Sequence, residues 1–554
     1  MSSKKLFTVA LLAFSQSVFA QQPPSAGGQM QQIPPPPTQQ KAPPEFRVEQ
    51  GNVPAAPLLE QVKIVVNSLH VTGQTVYSEA ELVAVTGFKP GGELSLGDLR
   101  AMALKIADYY HKNGYFVAQA YLPAQDIKDG VVTIIVIEGR YGKISLRNQT
   151  RLSDAQANSI LRGLNSGDLI TIAPLEERLL LLSDTAGVIV KSTLVPGAEV
   201  GTSDLIVELT PGRSVTGDVE ADNAGNRYTG EYRIGATVNL NNLAGHGDVA
   251  SLRVMTSGSG MKYARLSYQM QFGRATAGVA YSALDYRLGK EFSDLHAHGT
   301  AEIASVYGSY PLIRSRNTNL YALADFDFKT FQDKEDLTSS VTDKRDNVLN
   351  LGLSGNHRDG FGGGGYSEYS LIQSFGDLDI RTPAALAADA ATAQSNGSFN
   401  KLAYQVMRLQ NLAGPFSLYG SIRGQFASKN LDISEKMELG GMYGVRAYPE
   451  GEAYGDEGYI ATLELRMLLP KPQSLPGQMH LIGFADSGTV RLNNNPWFVG
   501  ENRRTLSGAG VGLTWQDYNN FSVRAYWAHK LGSAPATSAP DKSGRFWIQL
   551  VKYF

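Results

Sequence analysis

From Ser214 to Phe554 the chain is a succession of runs in which apolar and polar residues alternate, separated by clusters of Gly, Asn, Asp and Pro. In "YIATLELRMLL" the set Ala461, Leu463, Leu465, Met467 and Leu469 opposes Thr462, Glu464 and Arg466. In "KYARLSYQMQF" the set Ala264, Leu266, Tyr268, Met270 and Phe272 opposes Arg265, Ser267, Gln269 and Gln271. In "YTGEYRIGATVNL" the set Tyr228, Tyr232, Ile234, Ala236, Val238 and Leu240 opposes Glu231, Arg233, Thr237 and Asn239. Successive side chains of a strand point to opposite faces, so each run has one apolar and one polar face. Charges on the polar face require water behind it, since a dry core would leave them unpaired. Apolar-out and polar-in over ~10 residues is the pattern of a transmembrane β-barrel.

The runs begin near 214, 228, 248, 261, 275, 299, 317, 345, 362, 397, 415, 459, 479, 504, 521 and 544, which predicts sixteen strands. A further segment, "LDISEKMELGG" from about 430, is read as the foot of a long loop and not as a wall strand. An even count suits a single-chain bacterial barrel. No segment is a long apolar run able to span as a helix, so a membrane form of this chain is a barrel. From Ser214 onward no helical period is visible.

The N-terminus, "MSSKKLFTVALLAFSQSVFA", has a short basic region at Lys4 and Lys5, an apolar run and a small-residue cleavage site ending at Ala20. It reads as a secretory signal peptide, residues 1–20. Residues 21–60, with "QQIPPPPTQQKAPP", read as a flexible, partly polyproline II linker. Residues 61–140 then give strand, helix, helix, strand, strand. Ser78 is placed to cap the first helix, and Leu99, Met102, Ala103, Ile106 and Tyr110 lie on one face of the second. Residues 141–213 repeat that order, with helices in "LSDAQANSILRGL" and "APLEERLLLLSDT". The predicted fold class is an α+β tandem followed by an all-β transmembrane barrel over 214–554.

The chain has no cysteine, which excludes disulfides, thiolate metal sites and a cysteine nucleophile. A net charge of -2 gives no basic field for nucleic acid. There is no P-loop, G-x-S-x-G elbow or HExxH. His296 and His298 in "HAH" lack further ligands, and "FGGGGY" at 361–366 is not followed by a helix. No enzyme activity, cofactor or metal is expected.

Two motifs inside the barrel region remain. "FADSG" puts Phe484, Asp486 and Gly488 at i, i+2 and i+4, so all three face one side of a strand. Leu481, Gly483 and Ala485 then face lipid, and Asp486 faces the lumen. "GGMYGVRAYPEGEAYGDEGY", Gly440 to Tyr459, is a Gly- and Tyr-rich loop with one cation, Arg446. A lumenal carboxylate needs a partner. A guanidinium can grip it bidentately, with Tyr448 and Phe484 as faces to stack on. Arg446 and Asp486 are thus the candidate ion pair, with solvation of each alone as the other reading.

A tandem of two β-α-α-β-β units before a barrel resembles the POTRA-barrel plan of two-partner secretion transporters, the ShlB/FhaC/HecB-type haemolysin and adhesin exporters. "VRAY", Val445, Arg446, Ala447 and Tyr448, is similar to that family's VRGY loop tip, with Ala447 in place of Gly. "FADSG" is similar to its F-x-D-x-G wall motif, and Asp222 to Asp248 resembles the start of its barrel. The final "GRFWIQLVKYF" resembles a C-terminal barrel insertion signal, with Lys552 departing from the usual apolar position. The resemblance implies two POTRA domains, 61–140 and 141–213, and a lumenal loop at 440–458 held by Arg446 on Asp486. It implies an outer-membrane transporter with periplasmic POTRA domains that exports a β-helical adhesin- or haemolysin-like exoprotein without ATP. The implied partners are that exoprotein's N-terminal secretion domain, outer-membrane lipids and the barrel assembly machinery. A barrel assembly factor of the same superfamily is the alternative. Many members carry an N-terminal plug helix, but residues 21–57 show no helical period, so the sequence leaves a plug helix in doubt.

Overall fold

Sixteen strands close into one antiparallel barrel in the computed structural model, which describes residues 23–37, 44–49 and 62–554. The signal-peptide reading lies outside the described residues. Val215–Asp222 opens the barrel and Gly544–Tyr553 closes it, with Asp218 opposite Tyr553 and Asp222 opposite Gln549. Alternation separates the faces as the sequence pattern requires. In the strand Glu457–Leu468, Leu463 and Leu465 are 54% and 48% exposed on the outside, and Glu464 between them is 4% exposed on the inside.

The wall differs from the sequence reading in places. The second strand begins at Arg233, not near Tyr228. Tyr228 turns inward and packs edge-on against Phe292, with ring centroids 4.7 Å apart, so 223–232 is a loop. A short helix, Pro383–Ala391, sits in the loop between the strands ending at Ile380 and starting at Gly397, where no helix was expected. Its Ala-rich sequence and Pro in the first turn favour a helix locally. The segment near 430 stays out of the wall: Met437–Glu438 pairs with Tyr454–Gly455 as a small ribbon at the base of the lumenal loop.

Two α+β units precede the barrel. In the first, Ser78 caps the helix Glu79–Thr86, and a Ser95/Asp98 capping box starts Leu96–Lys112. Leu99, Ala103, Ile106 and Tyr110 of that helix pack on Val132, Ile134 and Val136. The sheet order is Ser68–Thr72, Val131–Ile137, Gln119–Tyr121. In the second unit, helices Asp154–Leu161 and Ile172–Asp184 cover strands Arg140–Asn148, Val188–Pro196 and Thr202–Pro211. Ion pairs fasten its second helix to turns at the near end of the barrel: Asp184 with Arg314 at 2.7 Å, Glu176 with Arg316 at 2.6 Å, and Glu177 with Arg274.

The Pro/Gln-rich segment departs most from expectation. Ala26–Gln31 is a helix inside the barrel, in a segment whose sequence shows no helical period and left a plug helix in doubt. The Ala26 amide donates to Asp333 (2.7 Å), Thr229 donates to Gln29 (2.6 Å), and Arg233 and Arg253 donate to the carbonyls of Gln32 (3.0 Å) and Pro34 (2.6 Å). A helix of six residues has no stability of its own, so no period need be written into it; the barrel wall supplies the contacts. Gly27 packs so closely on Ser434 that a Cβ would come within 2.7 Å of the serine Cβ. Glu45–Val48 then pairs in parallel with Val188–Pro196 at the edge of the second unit, so this stretch is not a free linker either.

In the first unit, the buried Glu138 carboxylate accepts from the amides of Thr75 (2.6 Å) and Val76 (2.8 Å), and from the hydroxyls of Tyr110 (2.9 Å) and Thr75. Burial pushes this carboxyl up, but the hydrogen bonds from Thr75, Val76 and Tyr110 outweigh it and hold it below its ordinary pKa. A depressed folded-state pKa means that its stabilisation is present above the ordinary carboxylate range and is lost as pH falls through the folded value. Glu138→Ala is predicted to destabilise this unit by about 2–4 kcal/mol. Hydrogen exchange of Val131–Ile137 in the intact chain is the measurement; unchanged protection would contradict the prediction.

Candidate functional site in the barrel lumen

The loop between the strands Phe416–Ala427 and Glu457–Leu468 folds back into the barrel. Its two arms are joined by Leu439 N to Ala453 O (3.1 Å) and Gly440 N to Glu452 O (3.1 Å). The tip closes through Val445 N to Leu439 O (2.7 Å) and Tyr448 N to Val445 O (3.0 Å). This tight turn sends the Arg446 side chain to the wall.

There the guanidinium meets Asp486 through two bonds of 2.8 Å, Nε to Oδ2 and Nη2 to Oδ1, and the Arg446 amide adds a third at 3.2 Å. Its remaining Nη1 donates to Glu464 at 2.8 Å. Thr462 donates to Asp486 (2.9 Å), and Arg466 donates to Glu464 (2.9 Å). The guanidinium carbon lies 3.5 Å from the Phe484 ring centre and 4.9 Å from that of Tyr526. The Trp547 indole donates to the Arg446 carbonyl at 2.7 Å. Arg446 is 4% and Asp486 2% exposed.

The wall is shaped for this tip by missing side chains. A Cβ on Gly508 would lie 2.4 Å from the Ala447 Cβ, one on Gly510 would lie 2.6 Å from Phe484, and one on Gly488 would lie 3.0 Å from Leu439. Gly488 of the wall motif therefore makes room for the loop arm, and Gly510 makes room for the ring under the guanidinium.

The structure brings Val445, Arg446, Phe484, Asp486 and Gly488 together, and seats Ala447 against Gly508. It does not put Tyr448 on the guanidinium. Tyr448 is fully buried, donates to the Ala534 carbonyl at 3.0 Å and faces Lys530, while Tyr526 takes the stacking position. Three contributors were missed by sequence reasoning. Glu464 stood on the inward face of its strand in the alternation; its register beside Thr462, opposite Asp486, makes it a second counter-ion. Tyr526 and Trp547 come from other strands, and no local signal ties them to the loop. The pair is also buried, not half wet as its lumenal setting suggested.

A closed sixteen-strand barrel, two α+β units at its near end and a loop locked to the inner wall define a POTRA-barrel protein of the outer membrane. Residues 201–515 match the model of the haemolysin secretion/activation protein family ShlB/FhaC/HecB, and residues 64–139 match the ShlB-type POTRA domain. The heme/hemopexin transporter protein HuxB of Haemophilus influenzae (strain ATCC 51907 / DSM 11121 / KW20 / Rd) is 31% identical over 508 residues, 90% of this chain and 87% of that protein. The outer membrane transporter CdiB of Dickeya dadantii (strain 3937) is 24% identical over 67% of this chain and 66% of its own. Among solved structures, CdiB from Escherichia coli superposes with a TM-score of 0.68 at 19% identity, covering 93% of this chain and 94% of that one. BamA from Haemophilus ducreyi lacking POTRA domains 1–3 superposes at 0.54 with 15% identity, covering 89% and 100%. The chain belongs to the ShlB/FhaC/HecB family of haemolysin secretion/activation proteins. It is an outer-membrane transporter of two-partner secretion with its POTRA domains in the periplasm, and the family fits exoprotein secretion, not barrel assembly.

One cation facing two buried carboxylates makes the substitutions unequal. Removing Arg446 leaves Asp486 with no cation and Glu464 with Arg466 alone, a loss of about 3–5 kcal/mol in loop docking. Asp486→Asn leaves Glu464 as counter-ion and costs less. With a single cysteine at the fully buried Val445 position, thiol labelling is predicted to accelerate most in Arg446→Ala and less in Asp486→Asn. The barrel itself keeps its heat-modifiable migration in both. Equal labelling of the two variants would contradict the shared-cation geometry.

Proposed function

We propose that the Arg446 loop is the resting closure of a protein-conducting pore, and that the chain exports one partner exoprotein past it. The observation that carries this reading is the buried Arg446–Asp486–Glu464 cluster inside a barrel that has periplasmic domains attached. A loop fixed by charge-assisted bonds has two defined positions, docked and released, and an extended client needs the second. The client is a large secreted protein of adhesin or haemolysin type, recognised through an N-terminal secretion domain. The name of the Haemophilus relative makes an exoprotein concerned with heme or hemopexin a first client to try.

Recognition falls to the POTRA domains, by strand addition to an open sheet edge. A closed barrel offers no edge. In the second domain the Val188–Pro196 edge is already occupied by Glu45–Val48. In the first, Gln119–Tyr121 pairs only with Val131–Ile137 among the described residues, which leaves its outer edge open. No catalytic step is involved: folding of the client outside the cell supplies the direction, without ATP or cofactor. The apolar outer band sits in outer-membrane lipid, the barrel assembly machinery inserts the barrel, and the signal peptide is removed after Ala20.

The test is secretion of an exoprotein encoded beside this gene, with and without this gene, and with a chain lacking residues 61–213. The truncated barrel is predicted to insert but to release less than about a tenth of the exoprotein, since without a tether capture depends on a chance encounter. Normal release by the truncated barrel would overturn the assignment of recognition to the POTRA tandem.

A further inference from the structure

Two acids of the lumenal loop are outside the Arg446 cluster and fully buried, and each grips a surface loop at the mouth opposite the POTRA domains. Glu452 receives the amides of Thr537 (2.9 Å) and Ser538 (2.7 Å), their hydroxyls (2.9 and 2.8 Å) and the guanidinium of Arg504. Thr537 and Ser538 lie in the loop 531–543, between the strands Phe521–Lys530 and Gly544–Tyr553. Asp456 receives the amides of Asn494 (2.7 Å) and Leu431 (3.0 Å) and the ammonium of Lys436 (2.8 Å). Asn494 lies in the loop 492–502, between the strands Gln478–Arg491 and Arg503–Asp517.

Every group facing these two carboxylates is a donor, so neither could be replaced by its isosteric amide without setting donor against donor. Ala453, beside Glu452, is held in the left-handed region at φ 56°, a conformation that is unfavourable for alanine and persists where the surroundings enforce it. The tip adds a further tie, through the Tyr448 hydroxyl on the Ala534 carbonyl of the same surface loop. Glu452 and Arg446 are joined across the loop arms by the Leu439, Gly440 and Val445 amides.

We infer that Glu452 and Asp456 are positioning residues that tie closure of the extracellular mouth to the docked state of the Arg446 loop. Surface loops 531–543 and 492–502 are held down by the lumenal loop itself. When Arg446 leaves its wall carboxylates, the arm carrying Glu452 and Asp456 shifts and both surface loops are freed in the same transition. The pore therefore opens at the wall and at the cell surface together. This inference rests on the reading of the chain as a gated pore, but it concerns the resting state alone and needs no client.

The experiment is labelling of intact cells with a membrane-impermeant maleimide. The native chain has no cysteine, so Ala539→Cys, at a buried position in loop 531–543, carries the single thiol. Glu452→Gln in that background is expected to raise the labelling rate about tenfold or more, from the loss of its charge-assisted bonds to Thr537, Ser538 and Arg504. Arg446→Ala is expected to raise it comparably, although the hydrogen bonds and ion pairs of Arg446 go to Asp486, Glu464 and Trp547 and not to loop 531–543. If Glu452→Gln reduces barrel abundance, the double variant Thr537→Val, Ser538→Ala removes the side-chain donors from the other side and is read instead. Wild-type labelling in the Glu452→Gln or donor variant would overturn the latch. A rise there with no rise in Arg446→Ala would overturn the coupling. A wrong client would alter neither result, so failure here is distinguishable from failure of the export reading.

Discussion

A guanidinium buried inside a membrane barrel is the constraint on which the rest of this structure depends. Unpaired, it could not remain at 4% exposure. Asp486 and Glu464 compensate it, Phe484 and Tyr526 cover its faces, and Trp547 fixes the backbone that carries it. The wall has given up side chains to let this happen. Gly488, Gly508 and Gly510 each stand where a Cβ would strike the loop or the ring beneath the cation. The substitution of alanine at the third position of the tip fits the same geometry: Ala447 fills the hollow over Gly508. The loop is therefore a second, inner layer packed on the strands, and its position is set by charge as much as by shape.

The lumen is filled from the other side by the N-terminal segment. Arg233 and Arg253, two inward cations of neighbouring strands, pair with Asp222 and Glu220 and also donate to carbonyls of residues 32 and 34. Gln32 reaches the hydroxyl of Tyr454 at the base of the lumenal loop (2.6 Å), and Gln31 reaches the Ser434 carbonyl. The helix and the loop thus touch one another inside the barrel. Polar residues that solvate an open pore serve here as partners for a plug.

The wall was legible in the sequence because lipid outside and water inside force a period of two on every strand. The motif Phe484, Asp486, Gly488 could be oriented for the same reason, and a lone Arg446 in a Gly/Tyr loop offered a partner for the lumenal acid. Glu464 was visible as an inward carboxylate, but its role required the register that sets Thr462 opposite Asp486. Tyr526 could not be preferred to Tyr448, because the choice depends on how strands distant in sequence close the ring. The helix Ala26–Gln31 left no mark because its stability comes from the wall, and Glu45–Val48 became a strand only because Val188–Pro196 offered an edge.

The central claim is that the docked Arg446 loop closes the pore and must leave the wall for export. A cysteine at Ala447 paired with one at Gly508 tests it most directly. A Cβ on Gly508 would lie 2.4 Å from the Ala447 Cβ, so a shift of about an ångström reaches the Cβ separation of a disulfide. With the disulfide formed, export of the partner exoprotein should stop while barrel abundance is unchanged, and a reductant should restore it. Export at the wild-type rate with the tip covalently held to the wall would contradict the account.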